Sequence, residues 1–86
     1  MKQETKQKLP KWFKGELYEI GDEVRNPFSG DTCLLNAAEL SMYDFIMGAN
    51  MVMEMGVGRK GIVNDLRKGL EWFRTHNPSA YMTLLD

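Results

Sequence analysis

The spacing of large apolar residues changes along this chain, and each change predicts a different element. Between Glu16 and Leu35 they come in short runs, Leu17-Tyr18, Ile20, Val24 and Cys33-Leu34-Leu35, separated by Gly21-Asp22 and by Asn26-Pro27-Phe28-Ser29-Gly30-Asp31. Pro27 pre-sets φ for a turn and Gly30 accepts a positive φ, so the second separator can reverse the chain. The pattern predicts a β-hairpin, or three short strands, ending near Leu35.

From Asn36 onward the period lengthens to that of a helix. Asn36 stands as an N-cap with Glu39 three residues later, the spacing of a capping box, and Gly56 follows Met55 as the residue that ends the helix. At about 100° per residue, Ala37 to Met55 places Met42, Phe45, Ile46, Ala49, Val52 and Met53 on one broad face. Leu40, Met47 and Met51 form a second, narrower stripe on the opposite side, and polar strips containing Glu39, Asn50 and Glu54, and Ser41, Asp44 and Gly48, lie between the two. A surface helix needs only one apolar face. The broad face is expected to pack on the hairpin; the narrow one must meet the second helix, a second subunit or another protein.

Gly56-Val57-Gly58-Arg59-Lys60-Gly61 reads as a flexible link. A second, antiparallel helix is predicted from Ile62 to His76, with Ile62, Leu66, Leu70 and Phe73 inward and Arg67, Lys68, Glu71 and Arg74 outward. Asn77-Pro78 closes it and opens a short last helix to Leu85, because asparagine caps well and proline suits the first helical position. Residues 1–8 carry no apolar side chain beyond Met1 and predict a mobile basic arm. Order begins with Leu9, Trp12 and Phe13. The expected architecture is therefore a small α+β fold: an arm over 1–8, then one domain over 9–86 made of a short antiparallel β-hairpin, a long central helix, a second antiparallel helix and a short C-terminal helix.

Composition narrows the class. A chain of 86 residues with 43% hydrophobic and 27% charged content fits one small globular domain. No stretch of about 18 uncharged apolar residues is present, and the first residues lack the apolar centre of a secretory signal. A cytoplasmic protein with no membrane role is expected. The single cysteine, Cys33, excludes an intrachain disulfide and a multi-cysteine metal site. A core this small often gains burial by pairing with a copy or a partner.

The net charge of −1 conceals a segregation: side chains sum to +4 over Met1–Lys14, −7 over Gly15–Gly58 and +2 over Arg59–Asp86. The acidic middle argues against one broad basic face.

Catalytic chemistry finds little support. Cys33 and His76 are the only thiol and imidazole, and an active cysteine needs an electropositive, partly open setting. Cys33 instead falls in a predicted strand of the acidic block, which reads as a packed residue. Glu16, Glu19, Asp22 and Glu23 lack the alternating spacing of a calcium loop and read as a solvated edge. The glycines of the link follow a helix rather than a strand and lack the Gly-Lys-Ser/Thr of a phosphate loop, so they read as a linker. No catalytic activity, metal or cofactor is expected.

Two binding readings remain. Five of the seven methionines, Met42, Met47, Met51, Met53 and Met55, lie on or just after the central helix, and methionine suits adaptable contact surfaces as well as irregular cores. The contacting group would be Leu40, Met47 and Met51, with Tyr43 nearby and Trp12, Phe13 or Trp72 as aromatic anchors. The alternative is nucleic-acid binding by Lys8, Lys11 and Lys14 of the arm with Arg59, Lys60, Arg67, Lys68 and Arg74, since aromatics among cations can stack bases while the charges hold phosphates.

Asn26-Pro27-Phe28-Ser29-Gly30 with Leu35-Asn36-Ala37 and Glu39 to Ile46, and Gly69 to Arg74 with Tyr81 to Asp86, also resemble small proteins encoded by tailed phages of marine bacteria, especially of cyanobacteria. The resemblance spans the last two thirds of the chain. It implies a virus-encoded accessory or structural protein in the host cytoplasm and brings no catalytic residues. The combined expectation is a non-catalytic protein-interaction module whose partner is a second copy, a host protein or a viral protein.

Overall fold

The computed structural model describes residues 8–56 and 60–85. The expected mobile arm therefore lies outside the described residues except for Lys8, as does Arg59; Lys60 is described only in its backbone.

Strand β1 (Asp22–Arg25) pairs antiparallel with β2 (Thr32–Leu35), with Asp22 opposite Leu35 and Arg25 opposite Thr32. Asn26 builds the turn between them. Its N–H donates to the Asp31 carbonyl and its carbonyl accepts from Gly30 N–H, while its side-chain Oδ1 accepts from the N–H groups of Phe28 and Ser29. Gly30 takes φ +84°, the left-handed conformation that glycine adopts at little cost.

The run of Leu17, Tyr18 and Ile20 does not become a strand, so the sheet has two strands and not three. Its backbone finds a different partner: Tyr18 N–H donates to Ser41 Oγ at 2.9 Å, and that hydroxyl donates in turn to the Ala37 carbonyl at 2.8 Å. The segment is thereby strapped to a helix side instead of a sheet edge.

Helix α1 (Ala37–Glu54) begins with the predicted capping box: Asn36 Oδ1 accepts from Glu39 N–H at 2.8 Å, and Glu39 Oε1 accepts from Asn36 N–H at 3.1 Å. Gly56 at φ +78° stops it. Helix α2 (Lys60–His76) starts two residues before the predicted position, because Lys60 and Gly61 join its first turn. A glycine there is tolerated once the following stripe, Ile62 and Leu66, is anchored in the core. Helix α3 (Pro78–Leu84) is capped by Asn77, whose Oδ1 accepts from Ala80 N–H at 3.1 Å.

The core consists of Leu35, Met42, Ile46, Ala49, Leu66, Phe73, Ala80 and Leu84. The broad face of α1 packs on the antiparallel α2, and not mainly on the hairpin as its pattern suggested. Gly69 explains the difference. A Cβ at that position would lie 3.2 Å from Met42 Sδ and 3.3 Å from Ile46 Cγ1, so the missing side chain lets the two helices approach closely. The hairpin packs against α3 through β2, and Asn26 Nδ2 donates to the Thr83 carbonyl at 2.8 Å. No helix among the described residues is long and apolar enough to cross a membrane.

Candidate functional site

The exposed face of α1 follows from which of its sides the fold uses. Met42, Ile46 and Ala49 are buried against α2, and Phe45 and Val52 are half-buried beside them. Opposite lie Leu40, Met47 and Met51 in one line. Leu40 is half-buried and packs against the core, whereas Met47 and Met51 are 38% and 62% exposed. The second stripe is thus open over its C-terminal two turns and partly closed at its start.

Polar groups frame this line. Asp44 and Glu54, both exposed, flank it on either side, and α1 carries no basic residue at all. Tyr18 reaches Asp44 from the strapped segment. The Asp44 carboxylate holds the Tyr18 phenol above its ordinary pKa, first by charge, with reduced hydration, Glu16 and a hydrogen bond to Asp44 adding to the effect. The neutral phenol is the favoured form, so this contact is complete below the ordinary phenol range and is lost as pH rises through the raised value. Tyr43, on the other flank, turns inward with its ring centroid 6.4 Å from that of Phe73, and burial raises its pKa.

The three aromatic anchors expected to join the stripe lie elsewhere. A turn closed by Phe13 N–H and the Pro10 carbonyl brings Trp12 and Phe13 against Phe45, with ring centroids 5.8 and 5.6 Å away in edge-to-face arrangement. Phe45 projects roughly 120–160° around α1 from Met47, Leu40 and Met51. Trp72 is tied to the same region, since its Nε1–H donates to the Lys8 carbonyl at 3.2 Å. The predicted binding set therefore divides into an α1 group and an arm–α2 group.

The arm–α2 group coincides with the basic residues of the alternative reading. Lys8, Lys11 and Lys14 on the arm and Arg67, Lys68 and Arg74 on α2 are all exposed. Lys68 Nζ sits 5.2 Å from the Trp12 ring centroid and 4.0 Å from Asp65, and Arg74 is paired with Glu71. Between the Pro10–Phe13 turn and α2 runs an open groove of about 430 Å3 lined by Pro10, Trp12, Arg67, Lys68, Glu71 and Trp72.

Sequence reasoning missed the apolar residues most exposed in the hairpin region: Phe28 at the turn (96% exposed), Ile20, Leu34 and Leu17. The pattern places Leu34 in the hairpin and Phe28 in its turn, and a two-stranded sheet covered on one side leaves its outward positions open. That signal was present in the sequence: strict alternation turns Cys33 and Leu35 inward, so the apolar Leu34 between them has to face outward.

Cys33 is a half-buried free thiol packed against the core, and His76 Nδ1 donates to the Trp72 carbonyl at 2.8 Å. No cluster of three or more metal-ligating His, Cys, Asp or Glu side chains occurs among the described residues. Comparison with known protein families, curated proteins and solved structures finds no match.

Proposed function

We propose that the protein is a small non-catalytic interaction module that binds another protein through the exposed face of α1, in keeping with the accessory or structural role that its resemblance to phage proteins implies. The observation that carries this reading is the exposure of Met47 and Met51 on a helix whose opposite face is already filled by the core. Burying a fully exposed methionine is worth about 1.5–3 kcal/mol, and a partner gains the share of it that the 38% and 62% exposure of Met47 and Met51 leaves uncovered. Methionine adapts its shape to the surface it meets. The flanking Asp44 and Glu54 favour a partner with basic residues around an apolar line, the pattern of a cationic amphipathic helix.

The test is the double substitution Met47→Glu, Met51→Glu. Both sites are exposed, so the helical circular dichroism spectrum and the urea midpoint should stay within experimental spread of the parent, while association with a partner captured from the phage or host is lost. Global unfolding of the variant would assign the stripe to the core and end this reading.

A further inference from the structure

The groove between the Pro10–Phe13 turn and α2 shares no residue with the α1 face. We infer that it binds single-stranded nucleic acid, with a base against the indoles of Trp12 and Trp72 and the adjoining phosphates on Arg67 and Lys68.

The chain has two tryptophans, 60 positions apart in sequence, and both line this one depression. Their planes are fixed before any ligand arrives. Trp12 is held edge-on to Phe45, and a base that stacks on it displaces Lys68 from over its ring and leaves that ammonium for a phosphate. Trp72 is held by its bond to the Lys8 carbonyl and by His76 stacked on one face at 4.2 Å and 19°, so a base takes its other face. Two immobilised aromatic faces lose little freedom when a planar ring stacks on them.

The charge on its rim decides between occupants. Arg67 makes no ion pair among the described residues, and the one ion pair of Lys68 there is the long contact to Asp65. Glu71, the acidic lining residue, is already bonded to Arg74 and is partly neutralised there. Lys11, between the lining residues Pro10 and Trp12, adds a further exposed cation. The occupant is therefore anionic and planar. An acidic peptide supplies the charge without an aromatic face at each step, whereas a nucleic-acid strand supplies both in register. An unpaired strand is required, because bases stacked inside a duplex cannot reach an indole in a shallow groove.

Because both tryptophans lie at the site and the three tyrosines do not line it, tryptophan fluorescence excited at the red edge, where tyrosine does not absorb, reports on the groove. Titration at low salt with an oligothymidylate of about 12 nucleotides should quench that fluorescence saturably. Raising the salt should weaken binding, with a log–log slope of about −0.7 for each phosphate engaged. Trp12→Ala would disturb the packing on Phe45, so the variant of choice is the exposed Arg67→Gln. It should keep the parent's circular dichroism, bind more weakly, and show a salt slope shallower by roughly 0.7. The Met47→Glu, Met51→Glu variant should quench like the parent, which separates this inference from the α1 reading. Absence of quenching at low salt, equal quenching by polyglutamate, or an unchanged salt slope in Arg67→Gln would each overturn it.

Discussion

Asn26 does more for this fold than any other polar residue of the hairpin. Its backbone closes the turn, its Oδ1 collects two N–H groups of the loop, and its Nδ2 crosses to the Thr83 carbonyl on α3, 57 positions away. Replacing it with alanine removes the loop's internal acceptor and leaves a part-buried carbonyl on α3 without its donor. The expected loss is about 1–3 kcal/mol, seen as a lower urea midpoint with an unchanged slope. A midpoint equal to the parent's would mean that water replaces all three side-chain bonds. The turn itself was legible in Asn26-Pro27 and Gly30, since those preferences are local. The bond to Thr83 was not, because nothing in either residue names a partner so distant. Trp12 and Phe13 illustrate the same limit: aromatic residues among lysines serve equally as interface anchors or as a cover for Phe45, and only the tertiary fold chooses.

At the scale of elements, local chemistry determined where helices begin and end, and packing determined what they touch. The capping box at Asn36 and Glu39, the stop at Gly56 and the Asn77-Pro78 start were all readable, because each satisfies backbone groups within a few residues. The partner of the broad face of α1 was not readable, since it depends on Gly69 admitting Met42 and Ile46. Two glycines therefore offer a clean comparison. Gly48, in the middle of α1, has no atom within 4 Å of an added Cβ, so Gly48→Ala gains helix propensity without a clash. It should raise stability by about 0.5–1 kcal/mol, a rise in melting temperature of about 4–8 °C per kcal/mol. Gly69→Ala gains the same propensity but must displace two fully buried side chains, so its melting temperature should fall below that of Gly48→Ala. Equal temperatures for the two variants would show that the helix contact at Gly69 is loose.

On the scale of the whole molecule, the fold converts a segregation along the sequence into separate surfaces. Among the described residues, the exposed carboxylates Glu16, Glu19, Asp22, Glu23, Asp31, Asp44 and Glu54 belong to the hairpin region and α1, where Arg25 is the one exposed base. The exposed cations Lys8, Lys11, Lys14, Arg67, Lys68 and Arg74 belong to residues 8–14 and α2, where Glu71 is the one exposed acid among the described residues. This arrangement bears on self-association. A two-fold contact through the α1 stripe would bring Asp44 and Glu54 of one copy near those of the other, with no base on that helix to compensate. The protein is therefore expected to be monomeric by light scattering at low salt, and any dimer formed through this face should grow as salt screens the repulsion. The opposite response, a dimer at low salt that dissociates when salt is added, would mean that the acidic α1 face of one copy meets the basic α2 face of another. That contact would occupy both surfaces in turn, so in that case Met47→Glu and Arg67→Gln should each alter the dimer, whereas the monomer leaves the two faces independent.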